Sequence, residues 1–124
     1  MKYAIQVHSG PGHSSAGHNA YQFSKAALAE GHEILRMFFY HDGVHHGFGP
    51  ANHADQGAPD WPGLAQRHGI DLVLCASAAS RRGLLPEEET AWGEARLVAG
   101  FRIGGLGQWM DACLQADRVL VFGG

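Results

Sequence analysis

The stretch DLVLCASAASRRGLL, residues 71–85, is a short apolar run that ends at Cys75 and continues into small residues, two arginines and a glycine. An apolar run without polar alternation is typical of a strand that is buried on both faces of a parallel sheet. The pattern therefore places Cys75 at the carboxyl end of a buried strand. A thiol in that position is either a packing residue or a reactive group, and the position alone does not decide between them.

Strand and helix patterns alternate along the rest of the chain. Apolar runs predict strands over residues 2–8, 32–41, 71–75, 101–103 and 117–122, and we expect both 71–75 and 117–122 to be buried on two faces. Helical spacing predicts helices over residues 15–30, 86–97 and 105–117. We therefore expect one domain, residues 1–124, with a three-layer α/β/α fold of the flavodoxin-like or Rossmann-like kind and a mostly parallel sheet of about five strands.

Residues 41–63 have no regular pattern and are rich in glycine, proline and histidine. A segment of this length is too long for a simple connector between strands. We expect an irregular surface loop that has some role.

The chain has 124 residues and a formal net charge of −3. This balance provides no basic field for phosphates, so we expect no direct nucleic-acid partner and no membrane partner. The chain becomes polar after about six residues, too early for a signal-peptide core, and no apolar run approaches a membrane span. We expect a cytoplasmic protein whose two cysteines, Cys75 and Cys113, stay reduced.

Cys113 shares a presumed inner helix face with Trp109, Met110 and Leu114. Free cysteine is among the residue types that are most often buried, so this spacing favours a packing role. We expect no chemistry from Cys113.

Histidines offer a competing interpretation, in which the protein binds a metal through imidazole ligands. The candidate ligands lie in the first half of the chain: His8, His13, His18, His41, His45, His46 and His53. Their spacing matches no metal motif such as H-E-x-x-H, so we expect solvated loop histidines and no metal. His8 and His13 are nevertheless expected near Cys75, where they would tune the pKa of its thiol, because loops that follow parallel strands leave the same sheet edge.

A second alternative is a flavodoxin-like cofactor binder. The segment SGPGHSSAGH, residues 9–18, would then be the phosphate-cradling turn at the start of a helix. It contains neither G-x-x-x-x-G-K-[ST] nor G-x-G-x-x-G, and we expect no cofactor.

Four stretches of the chain carry a family resemblance: AYQFSKAALAEGHE (20–33), FFYHDGV (38–44), CASAASRRGLL (75–85) and GGLGQWMDACLQADRVLVF (104–122). They resemble the DsrE/TusD family of sulfur-relay proteins, within the DsrE/DsrF-like superfamily. The resemblance implies a DsrE-like fold and a sulfurtransferase that accepts sulfur as a persulfide on Cys75. Cys113 matches no required family cysteine. Arg81 and Arg82 are candidates to support the thiolate or the persulfide anion by their charge, and the alternative is that they are solvated or contact a partner subunit.

The resemblance also implies partners. Two related small subunits, one DsrF/TusC-like and one DsrH/TusB-like, would form a heterohexamer with this chain, and a DsrC/TusE-like protein would accept the sulfur. Phe48, Trp61 and Trp92 lie in or beside segments that could form the interface. The pathway is either thiolation of a tRNA uridine or dissimilatory sulfur oxidation, and no residue of the sequence decides between them.

Overall fold

The computed structural model describes residues 1–12, 14–49, 59–84 and 97–123. These residues form a five-stranded sheet in the order β4-β3-β2-β1-β5, in which all neighbouring strands are parallel. The strands are β1 (Lys2–Val7), β2 (Glu33–Phe39), β3 (Asp71–Cys75), β4 (Phe101–Gly104) and β5 (Arg118–Phe122). The predicted α/β class and its mostly parallel sheet are confirmed.

Helices lie on both faces of this sheet. They are α1 (Ala16–Ala29), α2 (Trp61–His68), α3 (Ala76–Arg81) and α4 (Leu106–Gln115), and a 3₁₀ helix spans His41–Gly47. Phe38 and Phe39 are consecutive in β2, so their side chains point to opposite faces. The ring centroid of Phe39 lies 5.4 Å from that of Trp61 in α2, and that of Phe38 lies 6.0 Å from that of Trp109 in α4. The three predicted layers are therefore present.

The helices predicted over 15–30 and 105–117 are confirmed as α1 and α4. After α1 the chain turns through Gly31, whose φ of +88° is in the left-handed region that favours glycine. The helix predicted over 86–97 falls almost entirely outside the described residues. Its last residue, Leu97, forms an isolated antiparallel bridge with Phe48.

The prediction of an irregular surface loop over residues 41–63 is wrong for its described parts. Its beginning is the 3₁₀ helix, its end is the start of α2, and Phe48 and Trp61 are core residues with exposures of 4% and 1%. The imidazole of buried His46 joins the two parts: its Nε2 donates to the carbonyl of Ser9 at 2.9 Å, and its Nδ1 accepts from the indole Nε1 of Trp61 at 3.2 Å. Phe48 and Trp61 therefore serve the core rather than an interface, and Trp92 lies outside the described residues.

Residues 117–122 contain a strand as predicted, but the burial of this strand differs from the prediction. It forms β5, an edge strand, and not a strand buried on both faces. Val119 and Val121 pair in register with Ala4 and Gln6, on the face that α4 covers, yet they are 43% and 54% exposed. The reason is that α4 packs mainly over β1 and β2 and leaves this part of β5 uncovered.

The buried face of α4 is also not the face that the sequence predicts. Met110 and Leu114 are 58% and 81% exposed, and the buried side of the helix is formed by Ala112 with Trp109. Cys113 is half-buried at the border of this side, where burial raises the pKa of its thiol. Its predicted packing role is thus confirmed only in part.

Candidate functional site

Cys75 closes β3 at the carboxyl edge of the sheet, as the sequence predicts. It pairs in register with Gly104 of β4, and on its other side Tyr40 follows directly after the last paired residue of β2. The residue is nevertheless only 1% exposed, so the structure buries the thiol within the fold. The reason is local packing, because α3 begins at the next residue and the 3₁₀ helix contacts both β3 and α3.

Helix α3 spans the short distance between the thiol and the arginines. Cys75 is its N-cap residue and Arg82 is its C-cap residue, and only six residues lie between them. Two of these, Ala78 and Ala79, are buried. Small side chains let the helix approach the sheet edge closely, which explains why so short an element covers this part of the molecule.

The two arginines point to other partners than the thiol. Arg82 donates from Nε to Oδ1 of Asp42 at 2.8 Å and from Nη1 to the carbonyl of Ala78 at 3.0 Å. Arg81 is exposed and donates from Nε to the carbonyl of Ser77 at 3.4 Å. Among the described residues neither arginine hydrogen-bonds to Cys75, and the expected support of the thiolate stays a prediction.

The 3₁₀ helix is held against the strand ends by two glycines. A Cβ at Gly43 would lie 2.1 Å from the carbonyl oxygen of Val7, and a Cβ at Gly47 would lie 2.3 Å from a methyl group of Leu74. Gly43 also donates its backbone N–H to the carbonyl of His8 at 3.0 Å. The 3₁₀ helix is therefore fixed at the carboxyl edge beside the thiol, a role that the irregular sequence pattern did not reveal.

The structure places His8 at the same edge, two strands away from Cys75. Its Nε2 hydrogen-bonds to the side-chain carbonyl of Gln6, and its ring meets the ring of His41 edge-on at 5.0 Å. Burial, and secondarily the charge of His41, lower the pKa of His8. The ring of His41 stacks on the ring of Tyr40, with 4.1 Å between their centroids. Tyr40 follows β2, which pairs with β3, so this stacked pair lies beside the strand that ends at Cys75. The other predicted residue, His13, lies outside the described residues.

The metal interpretation receives no support from the described ranges. Within them no three histidine, cysteine, aspartate or glutamate side chains are grouped so that they could hold a metal ion. Both ring nitrogens of His46 are hydrogen-bonded in the core, and His18 is exposed on α1.

In the described part of the chain, no helix has the length and apolar character that crossing a membrane requires.

A charge network that the sequence pattern did not indicate lies at the other end of β3. The carboxylate of Asp71 accepts from Nε and Nη2 of Arg102 at 2.7 and 2.8 Å and from Nε of Arg36 at 2.6 Å. The hydrogen bonds from Arg102, joined by the one from Arg36, lower the pKa of Asp71. These residues come from three neighbouring strands, and only the sheet register brings them together.

The fold and its carboxyl edge define a small α/β protein that holds a cysteine where parallel strands end. The chain belongs to the DsrE/DsrF-like family, whose model matches residues 1–122. This finding confirms the family resemblance that the four stretches indicated.

Named relatives match the chain over its full length. It is 45% identical over 133 residues to the sulfurtransferase TusD homolog of Pseudomonas aeruginosa, covering 100% of this chain and 98% of the relative. It is 43% identical over 129 residues to a DsrE protein of Allochromatium vinosum whose name assigns it provisionally to the sulfurtransferases, covering 99% of both. The crystal structure of the ychN protein from E. coli has a TM-score of 0.72 at 23% identity, covers 98% of this chain and 99% of that chain, and supports the fold alone.

Proposed function

We propose that this protein is a sulfurtransferase of a sulfur relay, which accepts sulfane sulfur as a persulfide on Cys75 and passes it to a thiol of another protein. The observation that carries the proposal is the full-length similarity to proteins named as TusD and DsrE sulfurtransferases. The position of Cys75 at the carboxyl ends of parallel strands supports it, because ligands and reacting groups of open α/β sheets gather at that edge.

The proposed chemistry requires no cofactor and no external oxidant. The thiolate of Cys75 attacks the outer sulfur of a donor persulfide, R–S–SH, and a new S–S bond forms while the S–S bond of the donor breaks. The electron pair of the broken bond leaves with the donor sulfur as R–S⁻, and Cys75 becomes Cys75–S–SH. An acceptor thiolate then attacks the outer sulfur of this persulfide, which returns Cys75 as a thiolate.

The geometry favours Cys75 over Cys113 as the carrier. Helix α4 starts just after β4 ends and finishes just before β5 begins, so it runs from the carboxyl edge of the sheet back to the amino edge. The backbone N–H of Asp117, which follows α4, donates to the carbonyl of Lys2 at the start of β1. Cys113 therefore lies toward the edge opposite to Cys75, where it cannot resolve a Cys75 persulfide as an internal disulfide.

The proposal extends to partners and location. A relay needs a donor and an acceptor, here a DsrC/TusE-like acceptor, and the family likeness supports assembly with DsrF/TusC-like and DsrH/TusB-like subunits in a heterohexamer. Apolar side chains exposed on α4 and β5 support such assembly, since a partner would cover them: Leu106, Met110, Leu114, Val119 and Val121.

The proposal also includes a location. Free thiols need a reducing compartment, so we place the protein in the cytoplasm. The relatives carry both DsrE and TusD names, and both pathways stay open.

The experiment that tests the proposal is intact-mass measurement after incubation with a small persulfide or polysulfide donor. We expect wild type and Cys113→Ser to gain the mass of one sulfur atom, which a reducing agent removes. Cys75→Ser should gain nothing. Equal loading of Cys75→Ser and wild type would contradict the proposal.

A further inference from the structure

The burial of Cys75 sets a requirement for the proposed function, on which this inference rests. The side chain is 1% exposed, yet in-line attack on a donor persulfide needs direct contact between the two sulfur atoms. Some element near Cys75 must therefore move before sulfur is accepted. The described contacts indicate which element is free to do so.

Two neighbours of the thiol are held firmly. Strand β3 pairs with β2 on one side and with β4 on the other, and its central residues Leu72, Val73 and Leu74 are buried. The 3₁₀ helix is fixed by Gly43, which leaves no room for a Cβ against the carbonyl of Val7. Movement of either element would break sheet hydrogen bonds or close packing, which makes both poor gates.

Helix α3 is held much less firmly. It has six residues, no side chain caps its first turn, and the residues that it buries, Ala78 and Ala79, contribute little apolar area. Short helices depend on tertiary contacts because their few hydrogen bonds hardly offset the entropic cost of forming the first turn. At its far end, α3 is tied to the 3₁₀ helix, against which it also packs, by the ion pair of 2.8 Å between Nε of Arg82 and Oδ1 of Asp42.

We propose that α3 is a gate for the thiol and that the Arg82–Asp42 ion pair is its latch. Cys75 is the N-cap and Arg82 the C-cap of the same helix, so the latch holds α3 in the position that buries Cys75. Side-chain exposures of 26% for Arg82 and 63% for Asp42 make the pair accessible to salt and to charged groups of a partner. A donor or acceptor protein that competes for either residue would open the gate where the sulfur is exchanged.

Thiol-labelling kinetics test the latch. In a Cys113→Ser background, Cys75 is the one thiol that remains, and its reaction with N-ethylmaleimide is followed by mass. We expect Asp42→Asn and Arg82→Gln to label about two- to fivefold faster than the parent, the range that an exposed ion pair supports. The double variant should accelerate labelling by less than the product of the two single effects, because both substitutions remove the same ion pair.

Two controls separate the latch from general effects. Arg67→Gln removes an exposed charge on α2, away from the latch and from the thiol, and it should label at the parental rate. Higher salt should accelerate labelling of the parent and leave the double variant unchanged. Low urea concentrations should hardly change the labelling rates, because local opening exposes little surface whereas global unfolding exposes much.

Equal labelling rates for the parent, Asp42→Asn and Arg82→Gln would overturn the latch. Acceleration by Arg67→Gln equal to that by Arg82→Gln, or a urea dependence as steep as that of unfolding, would also overturn it. The labelling records access of a small reagent and not sulfur transfer. Failure of the latch would therefore leave sulfur loading of Cys75 intact, and loading of Cys75→Ser would refute the proposed function whatever the labelling rates.

Discussion

The two ends of β3 are built on different physical principles. At the amino end, the carboxylate of Asp71 is held by Arg36 and Arg102 through charge-assisted hydrogen bonds of 2.6 to 2.8 Å. At the carboxyl end, Cys75 is buried beside a short helix of small residues and a 3₁₀ helix that Gly43 fixes by close packing. Strong charge-assisted hydrogen bonds thus stabilise the framework at one edge, while the proposed reaction takes place at the other, where close packing and an exposed ion pair hold the elements around the thiol.

The largest expected effect tests the packing at the carboxyl end. Gly43→Ala places a Cβ 2.1 Å from the carbonyl oxygen of Val7, and the strand backbone that carries this oxygen cannot move aside without breaking sheet contacts. We expect a loss of about 3 kcal/mol in the free energy of unfolding, measured by urea denaturation.

The matched control is Gly107→Ala in α4, where a Cβ meets no atom within 4 Å. It should change the free energy of unfolding by less than about 1 kcal/mol, and in the stabilising direction, because alanine is the better helix former. Equal stability of Gly43→Ala and wild type would show that the 3₁₀ helix is not fixed in the way described.

A smaller effect is expected at the amino end. Asp71→Asn removes the charge that pairs with Arg36 and Arg102, and we expect a loss of about 2 kcal/mol in the free energy of unfolding. Asp111→Asn is the control: its carboxylate is 58% exposed and 3.5 Å from Arg36, so its loss should cost less than about 0.5 kcal/mol. Sulfur loading of folded Asp71→Asn should equal that of wild type. Impaired loading would mean that the two ends of β3 are not independent.

The smallest effect concerns pH. The pKa of Asp71 is lowered from its ordinary value of 3.8, chiefly by the hydrogen bonds from Arg102. The stabilisation is therefore present above the unfolded-state pKa and is lost as the pH falls through the lower folded-state pKa. Urea denaturation at a series of pH values below about 5 should show a steeper loss of stability for wild type than for Asp71→Asn. Parallel curves would contradict the structural role of this carboxylate.

The sequence predicts the strands and the parallel sheet because their signals are local. Each apolar run specifies a strand, and the helices between them imply parallel neighbours. It does not predict how far a helix covers a strand, and so β5 was expected to be buried although α4 leaves Val119 and Val121 exposed. Coverage depends on where a helix crosses the sheet, which no local pattern encodes.

The sequence likewise predicts where the site cysteine lies but not what surrounds it. A cysteine that closes an apolar run marks the strand end correctly, but the burial of Cys75 depends on α3 and on the 3₁₀ helix, which occupies a segment without helical periodicity. The Asp71 network depends on register across three strands, and the partner of Arg82 is Asp42, distant in sequence. Such contacts follow from the assembled fold and leave no signature in spacing along the chain.

The most direct test of a persulfide on Cys75 is to locate the transferred sulfur in the protein. Wild-type protein is incubated with a small persulfide donor, free and persulfide thiols are trapped with an alkylating reagent, and the peptides are sequenced by tandem mass spectrometry. We expect one additional sulfur on the peptide that contains Cys75 and none on the peptide that contains Cys113. Sulfur on Cys113, with Cys75 unmodified, would contradict it.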